Sequence, residues 1–308
     1  MHMRIFLTAL ACAIVSHLRP SDSVAETETE REGLITLAVG LSDNIENETE
    51  DPATDVFFNP SLGLVFRREL GQELELGLGC DLDQEIYLQN READNYMVSG
   101  MVELTGAAGG VLRWTAAYLP SFLHYGHLIG SEQDDGNYLR NAFALRLTQR
   151  RSKHLSLEYG ARLWWKTHQD ADREDNGGEL GVRCTRSVWP AFLATLGLRL
   201  QNNQSSEPEY DYRNCVLDAV LVKPFTETTY LLGIAQYHLK DYPERPIDEG
   251  EDGGGQNSQT LFLVISLIHE ISETYSAEIG YSLQKNSSNA ESAEYTANTV
   301  RAALEIRF

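Results

Sequence analysis

The stretch V-R-A-A-L-E-I-R-F at residues 300–308 decides the fold. With a period of two, Val300, Ala302, Leu304, Ile306 and Phe308 share one face; Arg301, Ala303, Glu305 and Arg307 share the other. Side chains alternate across a strand, so this is a strand with one apolar and one charged face. It ends on Phe308, the last residue of the sequence. A bare alternating edge presents unpaired N–H and C=O groups to any passing chain. Closing the sheet removes the edge, because the last strand then pairs with the first.

Upstream, thirteen further segments alternate in the same way, near 33–42, 59–69, 73–88, 95–105, 110–125, 138–148, 153–167, 179–188, 191–202, 212–222, 227–239, 259–268 and 274–285, with the last spanning 295–308. Short connections (70–72, 106–109, 149–152, 189–190, 223–226, 269–273) alternate with longer ones (43–58, 89–94, 126–137, 168–178, 203–211, 240–258, 286–294). Hairpins with tight turns at one end and longer loops at the other describe an up-and-down antiparallel barrel. The expected fold is therefore an all-β transmembrane barrel of about fourteen strands, with twelve as the nearest even alternative.

The first residues read as a secretory signal. Arg4 gives a short basic start, Ile5 to Val15 an apolar run too short to span a bilayer, and Ser23-Val24-Ala25 a small-x-small cleavage pattern. The expected organisation is a signal peptide at 1–25, a short periplasmic segment at 26–32 and an outer-membrane barrel at 33–308. Cys12 after Leu10-Ala11 offers a lipoprotein reading as a lesser alternative. No later stretch approaches the ~18 apolar residues of a membrane helix. Cys80, Cys184 and Cys215 are odd in number and widely spaced, so they form no disulfide framework and read as small apolar strand residues. No Cys/His cluster indicates a metal, and no cofactor is expected.

The formal charge of −21 argues against nucleic acid as a partner. Acidic blocks (Asp43, Glu46, Glu48, Glu50, Asp51, Asp55; Asp170, Asp172, Glu174, Asp175; Asp241, Glu244, Asp248, Glu249, Glu251, Asp252) fall in the long connections and read as solvated loops. Aromatic residues near the segment ends are expected to form two membrane-interface belts. Tyr87, Tyr96, Tyr125, Tyr138, Tyr212 and Tyr295 lie at the long-loop end; Trp114, Trp189, Phe225, Tyr230, Tyr275 and Phe308 lie at the other.

The tail resembles the C-terminal signature of Gram-negative outer-membrane barrels. Phe308, Ile306 and Leu304 carry that likeness. The last hairpin, Y-S-L-Q-K-N-S-S-N at 281–289 and Y-T-A-N-T-V at 295–300, is similar to the ending of the putative β-barrel porin families. The resemblance implies insertion by the outer-membrane barrel-assembly machinery, contact with outer-membrane lipid and lipopolysaccharide, and passive diffusion of small hydrophilic solutes.

On the charged face, Glu75, Asp81, Asp83 and Glu103 come from the third and fourth strands. Arg113, Arg140, Arg146, Arg162, Lys166, Arg183 and Arg199, with Glu158, come from the fifth to ninth. Acid on one wall and base on another would set a transverse field in an aqueous lumen. The alternative is a plugged lumen whose charges pair with one another. A second functional reading is an export or assembly barrel for exopolysaccharide. A third is an embedded hydrolase built on His154-x-Ser156-x-Glu158, whose His and Ser resemble the spacing in outer-membrane phospholipases. Leu157-Glu158 stands where those enzymes have Asn-Gly, and the alternation turns the row inward, so no catalytic residue is assigned and no enzyme is expected. Asp81-x-Asp83 resembles the paired acids of outer-membrane proteases but lacks their distant Asp-x-His pair, since Arg213 follows Asp211. D-x-E-x-N-G at 172–177 resembles the start of a calcium loop, with Arg183 where the bidentate acid belongs.

Overall fold

The computed structural model describes residues 29–45, 53–71, 73–108, 110–125, 137–169, 172–189, 192–247 and 255–308. The expected signal at 1–25 lies outside them, as do Glu46, Glu48, Glu50, Asp51, Asp170, Asp248, Glu249, Glu251 and Asp252.

Fourteen strands follow one another: β1 (Thr29–Ser42), β2 (Asp55–Glu69), β3 (Leu74–Tyr87), β4 (Asn95–Ala108), β5 (Leu112–Tyr125), β6 (Tyr138–Ser152), β7 (Leu155–His168), β8 (Glu174–Trp189), β9 (Phe192–Ser205), β10 (Tyr212–Pro224), β11 (Thr229–Tyr242), β12 (Gln256–Glu270), β13 (Tyr275–Ser288) and β14 (Tyr295–Arg307). Each pairs antiparallel with its neighbours in sequence, and β1 pairs with β14, so the sheet is a closed barrel. The seam runs from Leu34 opposite Arg307 to Ser42 opposite Thr299. The alternative of twelve strands is excluded.

The register gives every cross-strand pair a common face. The face carrying Arg146, Glu158, Arg183 and Arg199 points into the barrel, where these residues line a cavity. The opposite face carries Leu163, Leu180, Leu196 and Ile265, all more than half exposed. Among the described residues, buried polar side chains outnumber buried apolar ones. That inversion of a soluble core suits a closed sheet with hydrocarbon outside and polar groups within. The interior is not polar all round: Val220, Ile234 and Val264 from β10, β11 and β12 sit side by side on the same inner face.

Three of the longer connections share one device. Each holds a 3-10 turn (Arg91–Ala93, Pro208–Tyr210, Glu291–Ala293) followed by an acid and then, one or two residues later, a tyrosine. The acid turns back onto the preceding strand. Asp94 accepts from the Tyr87 backbone N–H at 2.6 Å, Asp211 from that of Ser205 at 2.5 Å, and Glu294 from that of Ser288 at 3.3 Å. Asp55 works similarly. Its carboxylate accepts from the N–H groups of Val56, Gln89 and Asn90, and the residue is 2% exposed. Expected to be a solvated loop acid, it is a buried cap, because a strand end leaves donors that only an acceptor nearby can satisfy.

Two boundaries differ from expectation. Residues 29–32, expected as a leading segment, belong to β1. β8 begins at Glu174 rather than near 179, so Glu174, Asp175, Asn176 and the Gly177-Gly178 pair are strand, not loop, and the calcium-loop reading of 172–177 falls with it. The reason is local: the Trp164 side chain occupies the space a Cβ at Gly177 would need. A glycine that reads as a turn signal is a flat bed for an indole on the next strand.

Candidate functional site

All twelve charged residues expected to face the lumen sit on the inner face by register. They divide into an acidic wall, a ladder of ion pairs at mid-height and a cationic cluster toward the long-loop end.

On the acidic wall, Glu75, Asp81 and Asp83 follow one another along β3, with Glu103 beside them on β4. Asn59 donates to Asp83 at 3.1 Å, Thr105 donates to Glu103 at 3.3 Å, and Arg113 Nη2 lies 3.8 Å from Glu75. Glu85, two residues on from Asp83, extends this row and accepts from Tyr87 and Asn95.

At mid-height Arg146, Arg183 and Arg199 are laced with acids, two of them unexpected, while Arg162 lines the same cavity with no carboxylate within ion-pair distance among the described residues. Arg146 and Arg183 both lie 3.6 Å from Glu158 Oε1. Arg183 lies 3.4 Å and Arg199 3.2 Å from opposite oxygens of Asp218, and Arg199 lies 3.5 Å from Glu179. Asp218 reaches Arg183 across β9 because Gly197 stands between them; its carboxyl oxygens occupy the place a Cβ there would take, 2.6 Å away. A cavity of about 200 Å³ opens beside this ladder. The largely basic wall expected on strands five to nine, with Glu158 its one acid, is further neutralised by Glu179 and by Asp218 from β10, which weakens the transverse field.

Above the ladder the acids thin out. Tyr138, Arg140, Trp164, Lys166, Arg173, Asp175, Tyr210, Tyr212, Lys240, Tyr242 and Arg245 line a cavity of about 400 Å³. Its cations lie against aromatic rings: Lys166 over Tyr138 at 4.0 Å, Arg173 over Tyr210 at 3.9 Å, Lys240 over Tyr212 at 3.9 Å and Arg245 over Tyr242 at 3.9 Å. Trp164, 7% exposed, is held by a hydrogen bond from Nε1 to Asn203 Oδ1 at 3.3 Å. Asp175 lies within 3.6 Å of Arg173 and 3.1 Å of His168.

Here the aromatic expectation needs correction. Of the six tyrosines assigned to a belt at this end, only Tyr96 faces outward; Tyr87, Tyr125, Tyr138, Tyr212 and Tyr295 face the lumen. At the other end Trp114, Tyr275 and Phe308 do face out, whereas Tyr230 faces in. Nearness to a strand end does not fix a side; parity does. The Trp189 side chain is not among those described.

No hydrogen bond joins the His154 and Ser156 side chains among the described residues. His154 lies in the β6–β7 turn, where its backbone N–H donates to Ser152, while Ser156 sits on the inner face of β7. Cys80, Cys184 and Cys215 are free, each on the outer face. Among the described residues no group of three or more His, Cys, Asp or Glu side chains converges as a metal site.

This is the architecture of the outer-membrane β-barrel proteins, and solved structures of that class match it along most of the chain. An outer membrane protein of Vibrio cholerae, OmpT, matches with TM-score 0.54 and 9% identity over 94% of this chain and all of that one. An anion-selective porin from Comamonas acidovorans matches with TM-score 0.53 and 11% identity over 92% of this chain and 100% of its own. A Pseudomonas aeruginosa FadL homologue matches with TM-score 0.51 and 7% identity over 91% and 90% of the two chains. At such identities the likeness concerns the fold. No protein-family model matches the chain, and no curated protein does.

Proposed function

We propose that this chain is an outer-membrane channel through which small hydrophilic solutes diffuse passively, exported on a signal ending near Ala25. The observation that carries the reading is the inner face itself: a charged lining, Glu75 to Arg199, inside a closed barrel with an apolar outer face. Such a lining orders water and favours polar over apolar solutes. The barrel would contact lipid and lipopolysaccharide along its outer face and enter the membrane through the barrel-assembly machinery, with Phe308, Ile306 and Leu304 as the signal. The start of β1 and the end of β14 lie at the short-turn end, which supports reading that end as periplasmic.

Planar-bilayer recording of the purified, folded protein is the test. Discrete conductance steps are expected. A folded sample that inserts and conducts nothing sinks the reading in favour of a plugged lumen. Cavities of about 200, 400 and 360 Å³ along the inner face support the open-lumen reading. No catalytic role is proposed for His154, Ser156 or Glu158.

A further inference from the structure

At mid-height Arg146, Arg183 and Arg199 each lie within 3.6 Å of a carboxylate. At the long-loop end the pattern changes. Among the described residues, five cations, Arg140, Lys166, Arg173, Lys240 and Arg245, meet one carboxylate, Asp175, around the cavity of about 400 Å³. Among the described residues only Arg173 has a carboxylate within ion-pair distance. The others lie over rings: Arg140 over Trp164 at 5.3 Å, Lys166 over Tyr138, Lys240 between Tyr212 and Tyr242 at 3.9 and 4.5 Å, and Arg245 over Tyr242 with Tyr210 at 5.1 Å. A ring quadrupole steadies a cation by about 0.5–2 kcal/mol and leaves its full charge in place. The cluster therefore keeps a concentrated positive potential in a chain whose formal charge is −21.

The rings also hold the cations still. Tyr210 lies against both Arg173 and Arg245, and Tyr242 against both Lys240 and Arg245, so each cation is fixed by a neighbour that it does not neutralise. Arg245 is further anchored by a hydrogen bond from Nε to the Glu209 carbonyl at 3.1 Å, which leaves its terminal nitrogens for another acceptor. Such preorganised guanidinium and ammonium groups match carboxylate or phosphate oxygens.

We propose that this cluster is a binding site, at the long-loop mouth of the lumen, for a compact polyanion carrying two or more carboxylate or phosphate groups. The inference rests on the channel reading, because the cluster faces the lumen, and it names the class of solute that the channel selects. A monoanion would meet one or two of the five cations; a polyanion meets the cluster as a whole. The acidic wall on β3 would hold such a solute against the cationic side.

Citrate and pyrophosphate serve as carboxylate and phosphate probes, and glucose as a neutral control. Calorimetric titration of the detergent-solubilised full chain is expected to show citrate or pyrophosphate binding that weakens as salt is raised. In planar bilayers the same anion, added on the long-loop side, is expected to block current. Replacing both Lys166→Gln and Lys240→Gln should raise the concentration needed by about tenfold or more, since two charged contacts are lost. Arg245→Gln, outside the strands, repeats the test with less demand on folding, and circular dichroism checks each variant for strand content. Preference for citrate over pyrophosphate, or the reverse, separates the two chemistries. Anion binding without conductance keeps the site and defeats the channel. Conductance with neither anion bound, or binding unchanged in all variants, overturns the site.

Discussion

The ring of Phe308 lies across Gly33, and two backbone hydrogen bonds join these residues: Gly33 N–H to Phe308 O at 2.8 Å and Phe308 N–H to Gly33 O at 3.0 Å. This is where the first and last strands meet at the short-turn end. A Cβ at Gly33 would sit 2.5 Å from ring carbons, so only glycine lets the ring lie flat on the seam. Gly33→Val should therefore lift the ring and weaken closure by about 1 kcal/mol, the low end for forced overpacking, because the Phe308 ring is 66% exposed and free to turn away. Urea unfolding from lipid vesicles measures it. An unchanged midpoint would mean that the ring contributes nothing to the seam.

Gly177→Val displaces Trp164 in the same way, with a different consequence. The indole stands over Gly177, bonds Asn203 and carries Arg140 against its face. Moving it disorders the cationic cluster while leaving the β7–β8 ladder intact. Tryptophan emission should shift to the red with little loss of strand signal in circular dichroism. If emission stays put, the tight fit of Trp164 on Gly177 is wrong.

Asp218→Ala removes the acid shared by Arg183 and Arg199. A fully buried broken pair costs about 3–5 kcal/mol. Here the cost should be nearer 2–3 kcal/mol, because Arg183 is 41% exposed and the cations are partly solvated. In bilayers the same variant should shift selectivity toward anions, read from the reversal potential across a salt gradient. A shift toward cations contradicts the placement of Asp218 in the lumen.

Asp94→Ala strips the acceptor from the Tyr87 backbone N–H at a site with no exposed surface. An unsatisfied buried donor costs about 1–3 kcal/mol. Asp211→Ala and Glu294→Ala should follow in weaker measure. The Glu294 contact is longer, at 3.3 Å, and Asp211, unlike Asp94, is not fully buried. Equal effects at all three positions would show that the shared turn, rather than the carboxylate, holds these connections.

Much of this architecture was legible beforehand. Period-two alternation placed fourteen segments and all twelve lumen charges, because in a closed sheet parity assigns sides without knowledge of distant contacts. The tyrosines at the long-loop end were read by nearness to a strand end instead, and five of six came out on the wrong side. Parity would have placed Tyr138 beside Arg140, and Tyr212 beside Asn214, on the inner face. Lys240 and Tyr242 carried the same signal, hidden because the strand was ended at 239.

The sequence by itself determined that the chain is built of alternating strands and which residues of each strand share a face, since both follow from local alternation of polarity; which face turns inward is not contained in the alternation. Tertiary structure alone decided which charges meet. Arg183 finds Asp218 two strands away because Gly197 leaves the gap; Arg173 and Arg245, from different loops, share Tyr210; Gly33 offers its bare backbone to Phe308. Those pairings depend on register and on empty space between strands, and neither is written in the pattern of any one segment.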